Sequence, residues 1–366
     1  MALVYRIAFA SLKGINRTLA QEILSRIGDE EMFFSATERQ LSSVLGFNNR
    51  LMSQDYRNEV LERAKREEQF ILSNNVTPLY YSDEDYPCRL ADCDDAPLML
   101  YTTGKCNLNA AHVVSIVGTR HATPYGLDFT TNLVEDLGKN LDDVLIVSGL
   151  AYGIDIAAHT ASLRNKIPTV AVLAHGLNTI YPASHRNVAA EMAHGRGMLV
   201  TDYMSIDAVH KGNFVARNRI VAAMCDCLVV AESAQKGGAL ITAGIASGYN
   251  RDVLALPGRT SDRYSAGCNR LIASNVAALV ENAEDLMKVM RWEAKPQEGT
   301  QIEIALQLTD EEQAVIDFLT AKGEAQINQL CVALNQPIAK LMGLLIDMEF
   351  KGLVLTYPGG RYRLAS

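Results

Sequence analysis

Val113-Val114-Ser115-Ile116-Val117-Gly118-Thr119-Arg120 is the stretch from which the fold can be read. Its first five residues are an apolar, largely β-branched run suited to a strand buried on both faces, and Gly118-Thr119-Arg120 then breaks it. A helix-like segment, Tyr125–Leu141, follows, so the break predicts a strand-to-helix turn. In a parallel α/β sheet such turns lie at the carboxyl ends of the strands, where the amides of a helix start can receive an anion. Arg120 adds a fixed positive charge, and together these features point to a phosphate-binding crevice.

Working outward, further buried strands are expected at Val144–Val147, Thr169–Leu173, Met198–Thr201, Cys227–Val230 and Val253–Ala255, separated by helix-length stretches. This alternation predicts an α/β fold, a doubly wound parallel sheet of extended Rossmann-like type. Small residues gather in the loops at one edge: Ser148-Gly149-Leu150-Ala151-Tyr152-Gly153-Ile154-Asp155, then Gly176 and Tyr181-Pro182, then Lys236-Gly237-Gly238. Glycine is needed where backbone approaches a ligand closely or takes a positive φ, so a broad glycine-lined mouth is expected. No G-x-G-x-x-G follows the first strand and no G-x-x-x-x-G-K-[ST] occurs, which removes sequence support for hydride transfer and nucleotide hydrolysis.

Residues Lys211-Gly212-Asn213-Phe214-Val215-Ala216-Arg217-Asn218-Arg219-Ile220 place three cations and an aromatic just before the helix expected to lead into the fifth strand. Cations with an interleaved ring suit single-stranded nucleic acid, the charges following phosphates while the ring stacks on a base. The same pattern also fits a surface charge cluster with Phe214 in the core, and the residues alone leave both readings open.

Composition narrows the functional classes. The 366-residue chain is 48% hydrophobic and 21% charged, with a net charge of −8. That acidity speaks against nonspecific coating of duplex DNA, which rests on summed positive charge, but allows a local basic crevice. No apolar run approaches the ~20 residues needed to span a bilayer, and no signal sequence opens the chain, so a soluble cytoplasmic protein without a membrane span is expected. Seven cysteines without a repeating frame suit a reducing compartment, and Cys225-x-Cys227 lacks a second pair to complete a metal site. The histidines form neither H-E-x-x-H nor a nucleophile elbow, and Asp155 reads as a helix N-terminal residue; no catalytic residue, metal or cofactor is expected.

Four segments are expected. Residues 1–75 are helical; Leu12-x-Gly14-Ile15 resembles half of a helix-hairpin-helix module, or belongs to a small helical packing domain. Residues 76–292 hold the sheet, with short edge strands at Leu79–Tyr81 and Leu98–Tyr101 and helix-breaking pairs at Tyr86-Pro87 and Ala96-Pro97. A linker covers 293–304. In 305–366, a helix starting at Thr309, helices over Ile327–Leu334 and Ile338–Glu349, and a hairpin around Pro358-Gly359-Gly360 resemble a winged helix. The would-be recognition helix offers Lys340 against Asp347 and Glu349 and no Arg, Asn or Gln for a base edge, so this domain reads as a protein-interaction or packing module.

Several of these motifs occur together in one known family. Ser115–Arg120, Ser148–Asp155, Tyr181-Pro182, Asn213–Ile220, Leu240-Ile241-Thr242-Ala243 and Leu256-Pro257-Gly258 stand in the order found in the DNA-processing protein A family (DprA, also called Smf), which this chain resembles over about 170 residues. The resemblance implies a non-enzymatic protein of bacterial natural transformation. Such a protein binds and protects incoming single-stranded DNA, loads the RecA recombinase onto it, and forms a homodimer through the sheet domain. It further implies that Arg120 and Lys211 anchor phosphates, that Phe214 is the stacking platform, and that Arg217 and Arg219 either contact phosphate or brace the pocket. Gly118, Thr119, Ser148, Gly149, Gly153 and Asn218 complete the expected nucleic-acid-binding set, with Lys236, Gly237 and Gly238 from the loop after the fifth strand. That loop departs from the family, which commonly has Ser-Gly-Ser there, and Ala231-Glu232 reverses a common order.

The competing reading is an enzyme. The same sheet resembles nucleotide phosphoribohydrolases of the lysine-decarboxylase-like group, which would want a Pro-Gly-Gly-x-Gly-Thr loop and a catalytic Glu; here Pro257-Gly258-Arg259 follows the sixth strand instead. A scaffold without nucleic acid is the third reading.

Overall fold

The apolar runs form a nine-stranded sheet: β1 (Thr77–Tyr80), β2 (Met99–Gly104), β3 (His112–Val117), β4 (Val144–Ser148), β5 (Thr169–Val172), β6 (Gly197–Thr201), β7 (Cys227–Val230), β8 (Asp252–Ala255) and β9 (Ala278–Leu279). The computed structural model describes residues 2–46, 50–295, 308–357 and 360–364. The spatial order is β1-β2-β6-β5-β4-β3-β7-β8-β9. All pairs from β6 to β9 are parallel, while β2 runs antiparallel to β6 and β1 antiparallel to β2. The fold is thus the expected α/β type with an antiparallel extension at one edge. β9, two residues long, is too short to leave a periodic signal in the sequence.

The chain steps from β3 through β4 and β5 to β6, then returns to place β7 on the other side of β3. The order therefore reverses between β3 and β7. The crevice beyond the carboxyl ends of those two strands is the topological switch point, where open α/β sheets hold their ligands.

Among the described residues five α-helices precede the sheet: α1 (Leu3–Ala10), α2 (Arg17–Ile27), α3 (Glu30–Ser35), α4 (Glu38–Leu45) and α5 (Gln54–Ser73). Asn16 and Asp29 cap α2 and α3, and Thr37 with Gln40 forms a capping box at α4. Their apolar faces share one core with β1 and β2, through residues such as Phe9, Phe33, Tyr80 and Met99. Buried Glu67 of α5 accepts from the Ser205 amide at 2.8 Å and its hydroxyl at 2.6 Å, tying the helices to the loop after β6. Arg57 of α5 is fully buried and donates to the carbonyls of Phe33, Phe34, Ala36 and Met52. Three of these carbonyls belong to the C-terminal end of α3, where a helix leaves its oxygens unsatisfied. Arg57→Met is expected to lower the unfolding free energy by about 1.5–3 kcal/mol, read by urea denaturation; unchanged stability would contradict this role.

The sheet is covered by α6 (Cys88–Ala91), α7 (Pro124–Asn140), α8 (Ile154–Arg164), α9 (Arg186–His194), α10 (Lys211–Ala223), α11 (Gly238–Gly248), α12 (Ala266–Ala273) and α13 (Ala283–Met290). Two large apolar clusters, one holding Val113, Leu228 and Ala243 and the other Ile116, Leu133 and Leu254, cover most of the sheet, and a smaller one with Ala171 and Leu199 packs on β5 and β6. Cys225 lies in the first and Cys227 in the second, so the two thiols do not share one environment.

His159 of α8 is fully buried, its Nδ1 2.8 Å from the Thr169 hydroxyl, which itself donates to the Ile146 carbonyl. Nδ1–H is therefore the donor, and Nε2 has no partner among the described residues. Burial, helped by the nearby Arg217 charge, pushes this imidazole down to about 3. The unfolded chain binds the proton near pH 6.5, so the stability contributed by neutral His159 is complete above that pH and is lost on acidification toward 3. Relative to His159→Leu, wild-type stability is expected to fall by about 1.4 kcal/mol per pH unit below 6.5. A constant gap between the two proteins across urea titrations at several pH values would refute it.

Met1–Lys295 forms one compact unit and Pro296–Ser366 another. The second contains α14 (Asp310–Lys322), α15 (Ile327–Leu334) and α16 (Ile338–Phe350), with β10 (Ala325–Gln326), β11 (Val354–Tyr357) and β12 (Arg361–Leu364) in the order β10-β12-β11. Thr309 and Glu312 form the capping box of α14, and the three helices with their small sheet make a winged helix. Lys340, the one cation expected on the recognition helix, pairs with Glu311. Most of the expected 293–304 linker and the Pro358-Gly359 turn lie outside the described residues. Among the described residues no single helix is long and apolar enough to cross a membrane.

Candidate nucleic-acid interface

At the switch point lies a cleft of about 360 Å³, walled by the ends of β3 and β7, one face of α10 and the start of α11. Arg120, exposed on the turn after β3, holds its guanidinium 5.8 Å above the centre of the Phe214 ring. Lys211–Ile220 does not precede a helix, as the sequence suggested, but is the first ten residues of α10 itself. The helix turns Phe214 and Arg217 toward the cleft and leaves Lys211 exposed at its first position, one turn before Phe214. Phe214 is half-buried and meets the exposed Tyr181 edge-on, with ring centres 5.5 Å apart. It is thus neither a core residue nor a free one.

Arg217 is buried, donating to the Gly149 carbonyl at 2.7 Å and to the Val172 carbonyl. A Cβ on Gly149 would stand 2.5 Å from a guanidinium nitrogen, which explains glycine at that position. The Arg217 charge is felt by Asp155, whose carboxylate accepts from the Gly149 and Ala151 amides at 3.2 and 3.3 Å. Burial pushes the Asp155 carboxyl up and the Arg217 guanidinium down, and each charge opposes the other's shift. Of the two roles the sequence allowed Arg217, this geometry is that of a brace for the β4–α8 loop.

The helix start after β3 is not open to an anion. Glu232, buried at the end of β7, accepts from the Thr123 amide at 2.8 Å and hydroxyl at 2.6 Å and so caps α7. The open start is that of α11, where Gly237 caps without a side chain and Lys236 stands exposed beside it.

The expected site residues therefore separate. Gly118, Thr119, Arg120, Phe214, Arg217, Asn218, Lys236, Gly237 and Gly238 all line the cleft, whereas Lys211, exposed at the first position of α10, is not among its lining residues. Gly149 lies with Tyr152 and Tyr181 at its Phe214 end. Gly153, at φ 75°, packs so closely on the turn after β3 that a Cβ would be 2.2 Å from the Thr119 carbonyl oxygen, a structural role. Ser148 does not reach the cleft, being fully buried with its hydroxyl donating to the Ile116 carbonyl. Arg219 also lies elsewhere: it is paired with Asp202 at 2.6 Å and lines a separate hollow against the N-terminal helices. Sequence reasoning missed His121, Arg263 and Tyr264, which line the cleft as well. The adjacent cation and ring of Arg263-Tyr264 were the available signal, outside any strand or glycine loop.

Comparison with known proteins agrees with this architecture. The family model described as DNA recombination-mediator protein A matches residues 77–291, and the DprA winged helix domain matches 303–360. A putative DNA processing protein DprA of Mycobacterium tuberculosis is 35% identical over 283 residues, 75% of this chain and 71% of that one. The X-ray structure of DNA processing protein A from Streptococcus pneumoniae aligns with a TM-score of 0.64 at 28% identity, covering 79% of this chain and 98% of that one. A structure of the Helicobacter pylori protein, described for its single-stranded DNA binding mode, aligns with a TM-score of 0.53 at 30% identity over 59% of this chain and 95% of its own. With the sheet and the winged helix both matched, the chain belongs to the DNA recombination-mediator protein A family, DprA or Smf.

Proposed function

We propose that this chain binds single-stranded DNA in the switch-point cleft, as a recombination mediator rather than an enzyme. The observation that carries this is the Arg120 guanidinium set over the half-buried Phe214 ring, a charge for a phosphate beside a face for a base. Lys236, beside the uncapped start of α11, extends the positive track inside the cleft, and Lys211 adds a charge outside its lining, one helical turn from Phe214. The finer parts of the proposal are protection of incoming DNA in transformation, loading of RecA in the cytoplasm, and dimerisation through residues 76–292, with residues 305–366 serving protein contacts.

The test is a titration of the full chain with single- and double-stranded oligonucleotides at two salt concentrations. Tighter binding of oligo-dT than of duplex supports the reading; no binding of oligo-dT, or release of base from AMP, would replace it with the scaffold or the phosphoribohydrolase. Arg120→Glu is expected to weaken oligo-dT binding and to flatten the dependence of log K on log salt by about 0.7 for each phosphate no longer neutralised. An unaltered slope would remove Arg120 from the phosphate track.

A further inference from the structure

The cleft has a second aromatic face. Tyr264, half-buried on the loop between β8 and α12, lines the same cleft as Phe214. Its ring lies nearly parallel to that of His121, with centres 6.3 Å apart and planes at 25°. The Arg263 guanidinium stands 5.6 Å over it, repeating the arrangement of Arg120 over Phe214. Unlike Arg219, which Asp202 neutralises, Arg120 and Arg263 form no ion pair among the described residues.

The loop is also held in place. The Tyr264 carbonyl accepts from the Ser233 amide at 2.6 Å, fixing the loop to the end of β7. Gly258 and Asn269 exchange bonds of 3.1 and 2.8 Å that close its base. A ring fixed in this way loses little freedom when a flat ligand settles on it, which favours stacking.

We infer that Tyr264, with His121 and Arg263, is a second base-and-phosphate subsite, so that a strand seated on Phe214 continues across the cleft onto Tyr264. This rests on the single-stranded DNA reading and adds to it a particular residue and a length dependence. A nucleotide reaching only Phe214 gains nothing from Tyr264, whereas a longer strand stacks on both.

The experiment is fluorescence anisotropy of the full chain with labelled oligo-dT of increasing length, from the dinucleotide upward. Tyr264→Leu is expected to weaken the longer oligomers by about 5- to 150-fold while leaving the shortest bound oligomer unchanged, and Tyr264→Phe to restore wild-type affinity. Arg263→Gln should flatten the salt dependence for the longer oligomers alone. Thermal unfolding of the variants checks that they fold. Equal affinity of Tyr264→Leu and wild type at every length, or the same loss at every length, would overturn the subsite. If wild type itself bound no oligo-dT, the single-stranded DNA reading would be the one to fall.

Discussion

Arg217→Met is expected to lower the unfolding free energy by about 3–5 kcal/mol, the cost of removing one member of a buried charged set. The methionine fills much of the space but leaves the Gly149 and Val172 carbonyls without their donor and Asp155 without the charge that offsets its burial. Gly149 gains an empty space where the guanidinium had lain against its α-carbon. The β4–α8 loop should loosen with it, so DNA affinity falls as a secondary effect. Arg217→Lys should not rescue, because a single ammonium cannot reproduce the planar fork that reaches two carbonyls. Urea denaturation measures the loss, and a change below about 1 kcal/mol would show that the bonds to Gly149 and Val172 contribute only as an exposed pair would.

Phe214→Ala is expected to weaken oligo-dT binding by about 5- to 150-fold, the value of one base–aromatic stack. The salt slope should stay as in wild type, since no charge is removed. That separates this variant from Arg120→Glu, in which affinity and slope change together. Phe214→Tyr and Phe214→Trp should retain most of the affinity because they keep a ring under the guanidinium and against Tyr181. The ring is only half-buried, so thermal unfolding should change much less than for Arg217→Met. Wild-type affinity in Phe214→Ala would mean that the strand lies elsewhere.

Much of the fold was legible because buried parallel strands are continuous apolar runs: β3, β4, β5, β6, β7 and β8 all lie within a residue or so of the expected limits. The Gly-rich loops were legible for a related reason, since Gly149 and Gly153 are places where a Cβ would collide. What sequence could not convey was direction. Arg217 and Arg219 are two apart on α10, and a helix separates such neighbours by roughly half a turn, which sends one into the cleft wall and the other to Asp202. Ser148, next to Gly149 in the chain, belongs to the strand and points into the core. Tyr264 comes to the cleft through a loop held by the Ser233 amide and by the bonds between Gly258 and Asn269, contacts with no trace in local pattern. Glu232 is the converse case: a carboxylate near a presumed anion site that turns out to occupy the helix start itself.

That carboxylate gives the crevice an asymmetry along its width. With Glu232 bonded to the Thr123 amide and hydroxyl at the start of α7, the uncapped helix amides in the cleft are those of α11, beside Lys236, while on the β3 side the attraction for an anion comes from the Arg120 side chain. A polyanion lying there meets two kinds of attraction, main-chain amides with a lysine on one side and a guanidinium over an aromatic ring on the other.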